Sequence, residues 1–250
     1  MQIMYDNKTV SATKTAYTEN PNYLLANLDY TQLSRRYRSV GASDQWIVFT
    51  GPIKASRLMI AAHNLSVDAE IYIQGNNTNA WTAPSFSQEL SYKSGIITGQ
   101  FVEATYNYWR LYINDDGSNS PDYIEIGGLY LGTYVQLPGM KIDQKIDNKT
   151  TSMKSLSQSG QLYGDKRYKY RSFTVNFPAI TNAQKAEITT MWESMDITDP
   201  FYLLIWANRE DMETPIYCCF NYEAEAGPTW THTENYTHPW AVSLNIREVF

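Results

Sequence analysis

Apolar and polar residues alternate with period two over much of this chain, most clearly in residues 106–132. Trp109, Leu111 and Ile113 fall on one side of an extended ribbon, and Tyr108, Arg110 and Tyr112 fall on the other, the pattern of a strand with one buried face. The following tract, DDGSNSP at 115–121, has no apolar residue and is rich in turn formers, which predicts a solvent loop that reverses the chain. From Tyr123 a second strand places Ile124 and Ile126 on one face. Gly127 and Gly128 interrupt it where a bulge would fit, before Leu129 and Leu131 resume the alternation. The expected result is a hairpin closing one edge of a β-sandwich.

The rest of the first half has the same texture. Residues 1–20 are polar and Thr-rich with no sustained period, which predicts an N-terminal arm or a first edge strand. WIVF at 46–49 reads as a short buried strand ended by Gly51 and Pro52. Leu58 to Ala62 form another apolar run, HNLS at 63–66 a turn, and Ile71 and Ile73 alternate with Glu70, Tyr72 and Gln74. A polar loop at 76–87 carries one exposed-looking aromatic residue, Trp81. About six short strands separated by Gly, Pro and Asn loops describe a sandwich or jelly roll over 21–137.

Residues 138–165 are polar and weakly apolar, which predicts a linker, an extended arm or an exposed hairpin before a second domain at 166–250. There Phe173, Val175 and Phe177 alternate with polar residues up to Pro178. Thr181 and Gln184 have capping-box spacing, and Ile188, Met191, Trp192 and Met195 form one helical stripe. Phe201, Leu203 and Ile205 lie opposite Tyr202, Leu204 and Trp206, so that strand needs cover on both faces. Ile216, Cys218 and Phe220 share a face of the next strand, and Val242, Leu244 and Ile246 share a face of the last. The fold class is mainly β with one helix.

Composition agrees with that class. Of 250 residues 18% are charged and 43% apolar, with 20 Tyr and 7 Trp, a balance that favours sheets over helical bundles. The net charge of -6 argues against nucleic-acid binding by phosphate neutralisation. The two short basic clusters, Arg35, Arg36, Arg38 and Lys166, Arg167, Lys169, Arg171, read as solvated faces or salt-bridge sets. The only cysteines, Cys218 and Cys219, are adjacent in a strand, where an ordinary disulfide would be strained, so both are expected as free thiols. No basic, apolar leader opens the chain and no run of 18 apolar residues occurs. A soluble protein made in a reducing cytoplasm, with no membrane insertion, is the expectation.

Candidate chemistry is sparse. His63 follows an apolar strand and reads as a hydrogen-bonding residue at a strand end. His232 and His238 are six apart, a spacing that matches no common zinc motif. Asp115 and Asp116 read as solvated turn residues, with a Ca²⁺ site formed with Asn114 and Asn119 as the alternative. Two carboxylates across a cleft, a GxSxG elbow, a P-loop or a dinucleotide fingerprint cannot be picked out. No enzyme activity, cofactor or metal is expected. The candidate ligand- or partner-binding residues are Asn76, Asn77 and Trp81 in the first domain and Trp230, Tyr236 and Trp240 in the second.

The order WIVF, HNLS, AEIYIQG, YWRLYI, YIEIGGLYLG over about residues 20–135 resembles discoidin-like (galactose-binding-like) jelly rolls, particularly those of tailed-bacteriophage tail proteins. The strand, capped helix, PFYLLIW strand and terminal REVF strand over 140–250 resemble the tail-tube-like domain of distal tail and baseplate proteins. The resemblance implies a tail-like β-sandwich flanked by one helix and a structural protein of the virion tail, assembled in the host cytoplasm. Its partners would be copies of itself in a trimeric or hexameric ring, the tail tube protein and the baseplate hub protein. The alternative is a carbohydrate-binding adhesion module that recognises host surface glycans through the 76–87 loop.

Overall fold

In the computed structural model the described residues are 1–116, 121–137, 145–159, 161–195, 198–205, 215–221, 227–234 and 236–249. The chain is mainly β and divides into two compact units, Met4–Tyr134 and a second unit made of Met1–Ile3 with Val135–Phe250.

The chain opens with strand β1 (Gln2–Met4), a single helical turn α1 (Lys8–Ser11), β2 (Thr13–Ala16) and a 3-10 turn (Leu25–Asp29). The predicted N-terminal arm over 1–20 is therefore corrected, whereas the edge-strand alternative is met by β2, which lies at the edge of its sheet. Met1, Ile3 and Met4 are buried, and Ile3 pairs with Val135 far along the chain. A three-residue strand has no periodicity to read, and its partner is too distant for any local signal.

The first unit continues with β3 (Tyr37–Arg38), β4 (Gln45–Ala61), β5 (Glu70–Asn76), β6 (Phe86–Glu89), β7 (Ile97–Asn114), β8 (Glu125–Ile126) and β9 (Gly128–Gly132). Its main sheet runs β2-β4-β7-β5-β6, with β9 paired to β4, and β3 pairs with β8 in a separate ribbon. WIVF does not end at Gly51 and Pro52. The strand runs on through a bulge between Thr50 and Ile53, where Pro52 has no N–H to place in a ladder and Gly51 adopts a φ of 135°.

The hairpin predicted over 106–132 also does not form. β7 pairs with β4 and β5, whereas β8 joins β3 and β9 joins β4. Gly127 makes the break: a Cβ there would lie 2.3 Å from the Leu33 carbonyl oxygen, so only glycine allows the crossing. Within β7 the predicted alternation holds, because Trp109, Leu111 and Ile113 are all buried. They join Ile47, Phe49, Ile71 and Ile73 in one core. Phe86, Phe101 and Tyr106 surround the Trp109 ring at centroid distances of 5.7, 5.3 and 5.3 Å.

The second unit takes in β10 (Val135–Gln136), β11 (Lys145–Thr150), β12 (Met153–Leu156), β13 (Leu162–Asp165), β14 (Lys169–Ile180), helix α2 (Asn182–Ser194), β15 (Phe201–Leu204), β16 (Ile216–Phe220), β17 (Thr229–His232) and β18 (Trp240–Glu248). Its sheet runs β10-β1-β15-β16-β18-β14-β11, with β17 also on β18. Part of the predicted 138–165 linker is thus an edge strand, β11, which is rich in charged and polar residues as edges tend to be. The next part is the expected hairpin, of β12 and β13, which among the described residues pair with each other alone and whose strand residues are all exposed.

Phe173, Val175 and Phe177 point into this unit's core with Val242, Leu244 and Ile246, and all four residues of β15 are buried. Trp206 lies outside the described residues. The capping box of α2 is formed in both directions, Gln184 N–H donating to Thr181 Oγ1 at 3.2 Å and Thr181 N–H to Gln184 Oε1 at 3.1 Å. Ile188 and Met191 are buried, and Met195 is the C-cap rather than part of the helical stripe. Cys218 and Cys219 are free and buried.

The first unit is an insertion. The chain leaves the second unit's sheet through β1 and returns to it through β10, and those two strands are antiparallel neighbours.

Candidate functional site

The 76–87 loop joins two paired strands, β5 and β6, and its shape is set from within. Asn76 is buried: its amide N–H donates to the Ala80 carbonyl at 2.7 Å, and its Oδ1 accepts from Asn77 N–H at 2.9 Å and Ser85 Oγ at 2.9 Å. Asn77 Oδ1 accepts from the Asn107 N–H at 3.4 Å. Of the three predicted residues in this loop, Asn76 therefore builds the loop, Asn77 is exposed and Trp81 is half-buried with part of its ring at the surface. Trp81 Nε1–H donates to Asn79 Oδ1 at 2.8 Å, and the Arg110 guanidinium lies 4.7 Å from the Trp81 ring centroid. Arg110 is itself aligned by its Nε–H donating to Gln74 Oε1 at 2.7 Å.

Arg110 was not among the sequence candidates. Its signal was its place on the outward side of the strand with Tyr108 and Tyr112, but what it faces depends on the pairing of β7 with β5. Gln74 stands directly opposite it in that register. Burial lowers the Arg110 pKa from its ordinary value, and the Tyr112 phenol is pushed up to about 12, first by burial and then by its hydrogen bond to Asp44. The Tyr112 hydroxyl donates to Asp44 Oδ1.

In the second unit Trp230 and Trp240 come together at 6.4 Å, edge to face. Lys185 from α2 places its ammonium 3.1 Å from the Trp240 centroid and 5.3 Å from that of Trp230. Trp240 Nε1–H donates to Asn182 Oδ1 at 2.8 Å, and the His232 ring stands edge-on to Trp240. This cluster fastens the helix to the sheet. Tyr236 is separate from it, 101% exposed in the loop between β17 and β18.

The remaining polar groups are structural. Leu65 N–H donates to His63 Nδ1 at 3.2 Å, so Nε2 carries the proton and donates to the Lys93 carbonyl at 3.0 Å. Burial lowers the His63 pKa, which favours that neutral ring. Asp115 is not a solvated turn residue. It is 2% exposed and accepts from Ser66 N–H at 2.9 Å on one oxygen and from Ser66 Oγ–H on the other. Asn119 of the alternative Ca²⁺ set lies outside the described residues, and among the described residues no group of three His, Cys, Asp or Glu could hold a metal. Arg36 and Arg38 both reach the buried Glu125, and Arg38 is sandwiched between Tyr23 and Tyr123 at 3.9 and 4.1 Å. No helix is long and apolar enough to cross a membrane among the described residues.

No family model matches the chain, and no curated protein matches it. Among solved structures it is similar to chitosan-binding module 1 of a chitosanase/glucanase from Paenibacillus sp. IK-5, at 17% identity over 51% of this chain and 98% of that one, with a TM-score of 0.40. It is also similar to the Streptococcus pneumoniae fucose binding module SpX-3, at 12% identity over 52% and 98% with a TM-score of 0.42. A third is the family 32 CBM from C. perfringens NanJ in complex with galactose, at 12% identity over 54% and 99% with a TM-score of 0.41.

Proposed function

We propose that this chain is a non-catalytic carbohydrate-binding adhesion protein whose jelly-roll unit engages surface glycans at the 76–87 loop. The observation that carries this reading is the placement of Trp81. Its ring is partly exposed at the loop, tied through its own indole N–H to Asn79 and backed by the Arg110 guanidinium. A sugar presents an apolar C–H face and a rim of hydroxyls. A pre-positioned aromatic ring beside a guanidinium and loop amides matches both at small entropic cost.

Trp81→Ala is expected to weaken glycan binding at least about tenfold, the loss of one stacking anchor, with an unchanged melting temperature. A glycan array followed by titration calorimetry on the variant checks it. Failure of the wild-type protein to bind any glycan would sink the reading.

A second reading, the ring-forming tail-tip component implied by the sequence resemblance, is supported by the hairpin of β12 and β13. Met153, Leu156, Leu162 and Tyr163 are all exposed on it, and Leu156 faces Leu162 across the two strands. A hairpin with an apolar surface and, among the described residues, no further strand partner is suited to a second copy of the chain. On this reading the double substitution Leu156→Ser/Leu162→Ser lowers the mass found by light scattering from that of an oligomer to that of a monomer. A wild-type chain that stays monomeric at every concentration would rule it out.

A further inference from the structure

The outward face of the main jelly-roll sheet carries four aromatic residues in one cross-strand row. Trp46 of β4 stands opposite Tyr112 of β7, Tyr112 stands opposite Tyr72 of β5, and Glu89 of β6 follows. Tyr17 extends the row at the other end, where its N–H donates to the Trp46 carbonyl at 2.9 Å and its ring lies 5.6 Å from that of Trp46. Tyr72 and Tyr112 are 6.3 Å apart. Strands are spaced by about 4.8 Å, so the row from Tyr17 to Tyr72 spans roughly 14 Å across the sheet. That is long enough for several consecutive sugar rings.

The neighbouring row is polar. Arg110 donates to Gln74, and Gln74 Nε2–H donates to Ser87 Oγ at 3.3 Å. Rings flanked by hydrogen-bonding groups are not the composition of a face awaiting an apolar partner. Tyr17 is 58% exposed, and the other three rings are partly exposed.

The charge on this face is one-sided. Asp44 accepts from the Tyr112 hydroxyl, and Glu89 and Glu70 lie close enough to raise the Tyr72 phenol above its ordinary pKa, Glu89 most. Among the described residues, the guanidinium beside these three carboxylates is that of Arg110, which lies 4.7 Å from the Trp81 ring centroid and 5.5 Å from that of Tyr112. An anionic polymer is repelled here, whereas a chain bearing ammonium groups meets both carboxylates and ring faces.

We propose that the aromatic row Tyr17, Trp46, Tyr112 and Tyr72, with Asp44, Glu70 and Glu89 around it, is a binding surface for an extended chain of amine-bearing sugars. The ligand class rests on the carbohydrate reading above, but the surface is distinct from the outer face of Trp81.

The test is titration calorimetry of the full chain with a glucosamine hexamer, an N-acetylglucosamine hexamer, a galacturonate hexamer and hexalysine, in a buffer where the sugar amines are protonated. The glucosamine oligomer is expected to bind best and the galacturonate oligomer not at all. Trp46→Ala and, separately, Tyr72→Ala should each weaken it at least about tenfold. Glu89→Gln should narrow the preference for the free amine over the N-acetyl form, a readout that a merely structural role would not move.

Failure of the glucosamine oligomer to bind, or binding lost in Trp81→Ala but unaffected in both Trp46→Ala and Tyr72→Ala, overturns the inference. In the second case the loop reading survives. Hexalysine binding as tightly as the sugar overturns the assignment to carbohydrate.

Discussion

Trp109→Ala is expected to lower the unfolding temperature of the jelly-roll unit by on the order of 10–15 °C, the consequence of losing about 3–5 kcal/mol. The side chain is 0% exposed at the centre of an aromatic cluster with Phe86, Phe101 and Tyr106. Its removal deletes a large buried surface and leaves a cavity that neighbours held in strands can close only in part. It also removes a buried hydrogen bond, since Trp109 Nε1–H donates to the Ile53 carbonyl at 3.0 Å. Ile53 sits at the end of the bulge in β4, so that bond also holds the bulge in place.

Trp109→Phe separates the two contributions. It keeps most of the volume and loses the N–H, and should cost about 1–2 kcal/mol more than volume alone explains. Differential scanning calorimetry with near-ultraviolet circular dichroism checks both variants. A loss below about 1 kcal/mol for the alanine variant would mean that the cluster repacks freely.

Glu125→Ala is expected to cost about 3 kcal/mol at neutral pH, the lower part of the range for breaking a buried ion pair, because Arg36 is partly solvated. Glu125 is 5% exposed. It accepts from Arg36 on one oxygen and from Arg38 on the other at 2.6 Å, and Arg38 is held between two tyrosine rings. Burial alone would raise the carboxyl pKa, but the hydrogen bonds and charges of Arg36 and Arg38 outweigh it and the pKa lies below the ordinary value.

A folded pKa below the unfolded one binds fewer protons in the native state, so this stabilisation is fully present above the unfolded carboxylate value of about 4.3 and is lost as the pH falls through the folded pKa. Glu125→Gln should therefore be less stable than the wild type at pH 7, and the gap should close below about pH 4. Urea unfolding at several pH values measures the gap. A gap that did not change with pH would show that Glu125 acts through shape and not through charge.

What could be read from the residues alone follows from how far each interaction reaches along the chain. Trp109, Leu111 and Ile113 announce their buried side because the strand period is local, and Thr181 with Gln184 announces a helix start because capping spans a single turn. Which strands pair is not local. The turn-rich tract at 115–121 suggests a hairpin, but β4 lies between β7 and β9, and the pairing is decided by bulges and by Gly127 at a close approach. The candidate site divides in the same way. Trp81 is visible as an aromatic residue in a tract of Asn, Thr and Ser, whereas Arg110 beside it and the row from Tyr17 to Tyr72 exist only once four strands are in register. Trp230 and Trp240 are brought close by a hairpin, but Lys185, which fills the space by their rings, comes from a helix more than forty residues earlier.

The inserted position of the jelly roll has a mechanical side. Because β1 and β10 are antiparallel neighbours in one sheet, with Ile3 opposite Val135, the inserted unit hangs from two covalent tethers rooted side by side. On the carbohydrate-binding proposal, a pull on a bound glycan would be divided between two strands that already brace each other. Cleavage of either tether alone leaves the unit attached through the other. A binding module at the end of a single linker would be lost at the first cut.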